Sequence, residues 1–259
     1  MIDAIRLTFG LLSVLPAGMP SHVDRVVGRR AMLLAPLVGA VLGGVAAGVV
    51  ALVQLVRPDA DLLAAVLGVL AVAALSGGLH LDGLADFADA LGSRRDRETM
   101  LRIMKQSDIG PFGVLSIIAV LLIDVAALTA CIQSHFGWQA ILIATTASRL
   151  TLPWTCRTTI PSARPDGLGA IVAATVRPLT AALTTLAVLA AATALTCLTR
   201  SPTSAIATAA AVLLTVPAAL ATTRRARTTL GGTTGDVLGA AIELTLPIAL
   251  TTLALTAAL

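Results

Sequence analysis

The sequence has no tyrosine, and its only aromatic residues are four phenylalanines and two tryptophans. Surfaces on which nucleic-acid bases stack are therefore missing, and the net charge of +4 implies no nucleic-acid partner. Charge is scarce as well: charged residues make up 12% of the chain and hydrophobic residues 57%. That balance excludes a disordered chain and an ordinary soluble domain. Cys131, Cys156 and Cys197 stand singly in or beside apolar blocks, which excludes a disulfide framework and a cysteine metal site. A cationic leader followed by a short apolar core and a small-residue cleavage site is also missing, and Asp3 lies where that leader would be, so no removable signal peptide is expected.

What the chain does contain is long apolar blocks and a mean hydropathy of +0.93. Blocks of spanning length lie at 31–56, 62–80, 113–133, 138–156, 178–199, 204–221 and 238–258. They predict an all-α, polytopic transmembrane bundle of seven spans in a lipid bilayer, forming one domain over 1–259. The shorter segment 4–18, interrupted by Pro16, reads as an interfacial or re-entrant helix. Alanine and threonine in "LTAALTTLAVLAAATALT" allow close helix packing. All basic residues except Arg57, Arg149 and Arg200 fall in the first segment and in alternate loops. The positive-inside rule then puts the N-terminus in the cytoplasm and the C-terminus outside, and the expected location is the cytoplasmic (inner) membrane with the active site on its cytoplasmic side.

The stretch "GGLHLDGLADFADALGSRRDRETM", residues 77–100, puts Asp82, Asp86 and Asp89 directly after an apolar run. On a helix, Asp86 lies about 40° and Asp89 about 20° from Asp82, so all three share a face opposite Leu84, Phe87 and Leu91. An intramembrane carboxylate costs roughly 2.5–3.5 kcal/mol on insertion scales, and three together repel one another, so a cation is expected there. Oxygen ligands suit Mg²⁺ or Mn²⁺, and such ions suit phosphate oxygens.

Five cations then run from Arg94 to Lys105, including Arg95 and Arg102, before Asp108, and could grip a phosphate from the other side. Positive-inside topology alone also accounts for them. The turn at Gly110-Pro111 could add backbone N–H contacts to phosphate. A second acidic cluster, "LGGTTGDVLGAAIELTLP", places Asp236 and Glu243 on one helical face among small residues, pointing into a common cavity. Its structural alternative is Asp236 as a helix cap and Glu243 paired with an arginine. His80 is a candidate base or a structural histidine, and Asp124 is expected to form a buried ion pair with Arg149. Arg149, Arg157, Arg164 and Asp166 mark a central loop that reads equally as a phosphate or nucleotide contact and as a plain basic loop with turn residues.

The long acidic motif through "LRIMKQSDIGPFGV", with "LLAPLVGAVLGG", "ARPDGLGA" and "TTGDVLGAAIEL" in order, resembles cobalamin synthase, the adenosylcobinamide-GDP ribazoletransferase family. The resemblance spans nearly the whole chain. It implies that the 3'-hydroxyl of alpha-ribazole or its 5'-phosphate attacks the cobinamide-linked phosphorus of adenosylcobinamide-GDP and expels GMP. Under that reading Asp82, Asp86, Asp89, Asp236 and Glu243 hold Mg²⁺. One of Asp82, Asp86 and His80 takes the proton, and Arg94, Arg95, Arg102, Lys105, Asp108, Arg149 and Arg164 bind substrate. Self-association or association with other cobalamin-assembly enzymes fits the same reading. The CDP-alcohol phosphotransferases offer a mechanistic parallel, but Asp86 departs from their pattern, so no ligand is carried over from them. A transporter of a divalent cation or a corrinoid is the competing class, since acids in a bundle also mark ion paths.

Overall fold

The computed structural model describes residues 1–256, apart from the side chain of Pro202, and every named element is a helix. In chain order these are α1 (Ile2–Leu12), α2 (Arg25–Val56), α3 (Asp61–Leu75), α4 (Leu79–Gly92), α5 (Arg97–Ile103) and α6 (Pro111–Gln133). They continue as α7 (Gly137–Arg149), α8 (Thr151–Thr155), α9 (Gly167–Val172), α10 (Pro178–Thr199), α11 (Pro202–Leu230) and α12 (Gly235–Thr256).

The helices α2, α6, α10, α11 and α12 are each long and apolar enough to cross a membrane, making the chain a multi-pass membrane protein. A sixth crossing results if α3 and α4 count as one broken span. By length and composition the described residues thus supply five or six spans against the seven expected. Two predicted spans fall short for local reasons. The span at 62–80 ends at Leu75, because Gly77 and Gly78 take positive φ (64° and 69°) and α4 leaves at 86° to α3. The span at 138–156 divides at Leu150 into the 13-residue α7 and the short α8, which contains Pro153. Elsewhere the predicted blocks match but underestimate length: α2 begins at Arg25 behind the Asp24 cap, and α11 runs on to Leu230. The block 238–258 extends past the described residues.

Small residues set the closest approaches. A Cβ on Gly39 of α2 would stand 2.6 Å from the Thr145 carbonyl oxygen of α7, and one on Gly83 of α4 would stand 2.9 Å from the Asp236 carbonyl oxygen of α12. Bulkier apolar side chains fill the remaining core, including Leu128, Ile141, Leu250 and Leu253 between α6, α7 and α12. Outward-facing Leu37, Leu52, Leu115, Leu122, Leu183 and Leu186 are exposed, as lipid-facing surface requires.

Several loops and helix ends meet at one end of the bundle. Arg25 donates to the carbonyls of Ala170 and Ala173. The loop after α8 pairs with the turn before α12 through Ala163 N–H to Thr233 O and Thr233 N–H to Pro161 O, each 2.9 Å. Arg97 ties this end together, donating to Leu230 O at 2.7 Å and Ala163 O at 3.1 Å. Asp96 caps α5 by accepting from the Thr99 amide and hydroxyl, and these bonds hold its carboxyl below the usual carboxylate range. At the other end Arg200 donates to the carbonyls of Ser134 and His135.

Candidate active site

The α4–α12 crossing assembles the site. With no side chain on Gly83, α12 lies against α4 at Asp236, and with none on Gly239, α4 lies against α12 at His80, where an added Cβ would be 3.1 Å from the His80 Cα. Asp82 is exposed, Asp86 and Asp236 are half-buried, and the charges of Asp82, Asp236 and Asp89 all act on Asp86. Arg164 is the opposing cation: its guanidinium lies 3.6 Å from Asp236 and donates to Leu101 O at 2.8 Å. The pairing of residues 161–163 with Thr233 delivers that arginine. Thr234 adds a hydrogen bond to Asp236 at 3.2 Å. A half-buried surface with several carboxylates and one arginine favours a multivalent cation together with an anionic ligand.

The expected face of three aspartates is present, but its members differ in surroundings. Asp89 accepts the backbone N–H groups of Gly110 (2.7 Å) and Gly113 (2.9 Å), one on each carboxylate oxygen. It is thus a capping group for α6, whose own N-cap residue, Gly110, has no side chain. The phosphate contact expected at Gly110-Pro111 meets this obstacle: the protein's own carboxylate already takes those donors.

Asp236 and Glu243 also separate, since two helical turns between them put Glu243 in a deeper layer. Glu243 Oε1 is 3.8 Å from His80 Nδ1, and both side chains are buried. Arg149 is fully buried in this layer, donating to Ser148 Oγ at 3.0 Å, with Asp124 and Glu243 within electrostatic reach. The expected Asp124–Arg149 ion pair is not formed within 4.0 Å. Among the described residues, both nitrogens of His80, Oδ1 of Asp124, and Nε and Nη2 of Arg149 are buried without a hydrogen-bond partner. Arg149 is sealed from the site mouth, where the sequence expectation had placed it as a substrate contact.

The basic loop is less organised. Arg94, Arg95, Arg102 and Asp108 are exposed, and Lys105 makes one long contact of 4.0 Å to Asp166. Among the described residues no group of three or more His, Cys, Asp or Glu side chains is gathered closely enough to hold a metal ion.

The model of the cobalamin-5-phosphate synthase family matches residues 4–254. The chain belongs to that family. It is 42% identical over 248 residues to the adenosylcobinamide-GDP ribazoletransferase of Frankia casuarinae, covering 92% of this chain and 89% of that protein. A Nocardioides protein of the same name is 41% identical over 176 residues, covering 68% of this chain and 75% of its own length. No solved structure matches. Within this cobalamin-5-phosphate synthase architecture, sequence reasoning missed Arg97 as a clamp and Thr234 as a partner of Asp236. A bridge from one helix end to another and to a loop, of the kind Arg97 makes, leaves no periodic signal, whereas the "GGTTGD" turn is compatible with Asp236 near a helix start.

Proposed function

We propose that the chain is an adenosylcobinamide-GDP ribazoletransferase, transferring the cobinamide-phosphoryl group to the 3'-hydroxyl of alpha-ribazole or its 5'-phosphate with release of GMP. Family membership along nearly the whole chain carries this reading. The acids at the α4–α12 crossing give it a site. The transporter alternative is not favoured, because family membership points to the transferase and the half-buried and exposed acids of the α4–α12 crossing gather at one mouth.

Asp82, Asp86 and Asp236 supply the oxygen donors that a hard divalent cation, Mg²⁺ or Mn²⁺, takes, and their charges act on one another with Arg164 among them, although the three are not gathered within ligating distance. When bound, that ion supplies charge neutralisation for the pyrophosphate and for the departing GMP. Asp89 fixes the start of α6 beside the site, and Arg164 both restrains Asp236 and faces phosphate oxygens. The exposed Arg94, Arg95, Arg102 and Lys105 draw the anionic substrate towards the mouth. The depth of His80, below the carboxylates, favours Asp82 or Asp86 as acceptor of the 3'-hydroxyl proton.

The same reading counts α3 and α7 as short crossings, giving seven passes of a single domain, with the N-terminus and the basic, acid-bearing end in the cytoplasm. The deciding experiment is GMP release by purified protein in lipid-supplemented detergent with adenosylcobinamide-GDP and alpha-ribazole phosphate. Mg²⁺-dependent GMP with stoichiometric cobalamin phosphate, abolished by excess EDTA, supports the proposal. No product from folded protein refutes it.

A further inference from the structure

A cavity of about 230 Å³ lies between α1, α2, α4, α8, α9 and α12. Gly235 and His80, which precede Asp236 by one residue and Asp82 by two, are in its wall, while the carboxylates themselves are not. The rest of the wall is apolar, with Leu11, Met32, Leu152 and Leu168 among its members. His80, 4% exposed, is its one polar side chain, and among the described residues neither ring nitrogen has a hydrogen-bond partner, the buried Glu243 carboxylate standing 3.8 Å from Nδ1.

Size and chemistry select among the pieces of the two substrates. Sites for drug-sized ligands measure about 300–1,000 Å³, so this cavity takes a fragment, one flat bicyclic ring, and not a corrinoid. Guanine would bring carbonyl, amide and amino groups into an apolar wall and leave most of them unsatisfied. A benzimidazole riboside has one unsubstituted ring nitrogen, which a single imidazole N–H can satisfy. We propose that this cavity seats the benzimidazole base of the ribazole nucleoside, which directs the attached ribose hydroxyl towards Asp82, Asp86 and Asp236. The inference rests on the ribazoletransferase reading above and names the part of the acceptor that the inner wall selects.

Two substitutions in the cavity wall, on α1 and α9, change its size without touching a carboxylate residue. Gly10 is in the cavity wall and an added Cβ there meets nothing within 4 Å, so Gly10→Leu adds bulk at that wall, and Leu168→Ala removes bulk from a half-buried position. The assay is steady-state GMP release with three ribosides carrying benzimidazole, 5,6-dimethylbenzimidazole and naphthimidazole. Gly10→Leu is expected to shift kcat/KM by roughly 10-fold towards the smallest base, since one methyl-sized change in an apolar pocket discriminates at least that much. Leu168→Ala is expected to shift preference the opposite way, with the KM for adenosylcobinamide-GDP unchanged in both. Unchanged base preference in both variants, or equal loss on all bases from variants that melt like wild type, overturns the cavity assignment while leaving the enzyme reading intact. Failure of the wild-type chain to use any riboside defeats that reading instead.

Discussion

Replacing Asp89 by asparagine separates two roles that the acidic face of α4 combines. In the structure each carboxylate oxygen takes one backbone N–H, from Gly110 and from Gly113, at the first turn of α6. An asparagine keeps one acceptor and turns an NH₂ donor towards the other N–H. One charge-assisted bond is then lost, worth about 1.5–3 kcal/mol. Removing the negative charge from a helix N-terminus costs about 0.3–1 kcal/mol more. The expected destabilisation is roughly 2–4 kcal/mol, a fall in Tm of about 4–16 °C for a chain of this size. Thermal melting of purified Asp89→Asn in detergent measures it, with GMP release assayed well below the lowered Tm. The capping account expects most of the turnover to survive there, with the Mg²⁺ dependence of wild type. A variant that melts like wild type but makes no product would refute it and return Asp89 to the transfer chemistry.

Asp82→Asn and Asp86→Asn should behave in the reverse way, keeping the wild-type melting point while turnover falls by roughly 100-fold or more, the loss typical when a charge-stabilising group is removed. Gly83→Ala puts a methyl group 2.9 Å from the Asp236 carbonyl oxygen, so α4 and α12 must part; melting should show a loss of about 1–3 kcal/mol, accompanied by reduced turnover. Arg149→Met leaves buried Asp124 and Glu243 without their cation, a change of a kind that costs about 3–5 kcal/mol, and adding Glu243→Met should recover part of it in the same melting assay. For topology, with native Cys197 replaced, cysteines introduced by Thr228→Cys and His135→Cys should react with an impermeant maleimide from opposite faces of oriented vesicles. Labelling of both from one face would overturn the proposed arrangement.

The sequence made the helical membrane character legible because a bilayer demands long apolar runs, and α2, α6, α10 and α12 lie close to where those runs predicted them. It hid the break after Leu75, since Leu79 and Leu81 keep the run apolar while Gly77 and Gly78 turn the backbone; the left-handed conformations have no hydropathy signature. The three aspartates were readable as one face because helical periodicity fixes direction around an axis. Periodicity says nothing about which neighbour waits there, and a separate helix start waits at Asp89.

The second acidic helix shows the same limit along the axis. Asp236 and Glu243 do point to one side of α12, yet α4 crosses between their levels, with Gly83 against Asp236 and His80 against Gly239. The crossing leaves Asp236 beside Asp86 at the half-buried mouth and shuts Glu243 into the layer of His80 and Arg149. Two glycines, one on each helix, therefore decide which acid can meet solvent and substrate. Their identity was plain in the sequence, but their meeting depends on the 86° turn that sends α4 across α12.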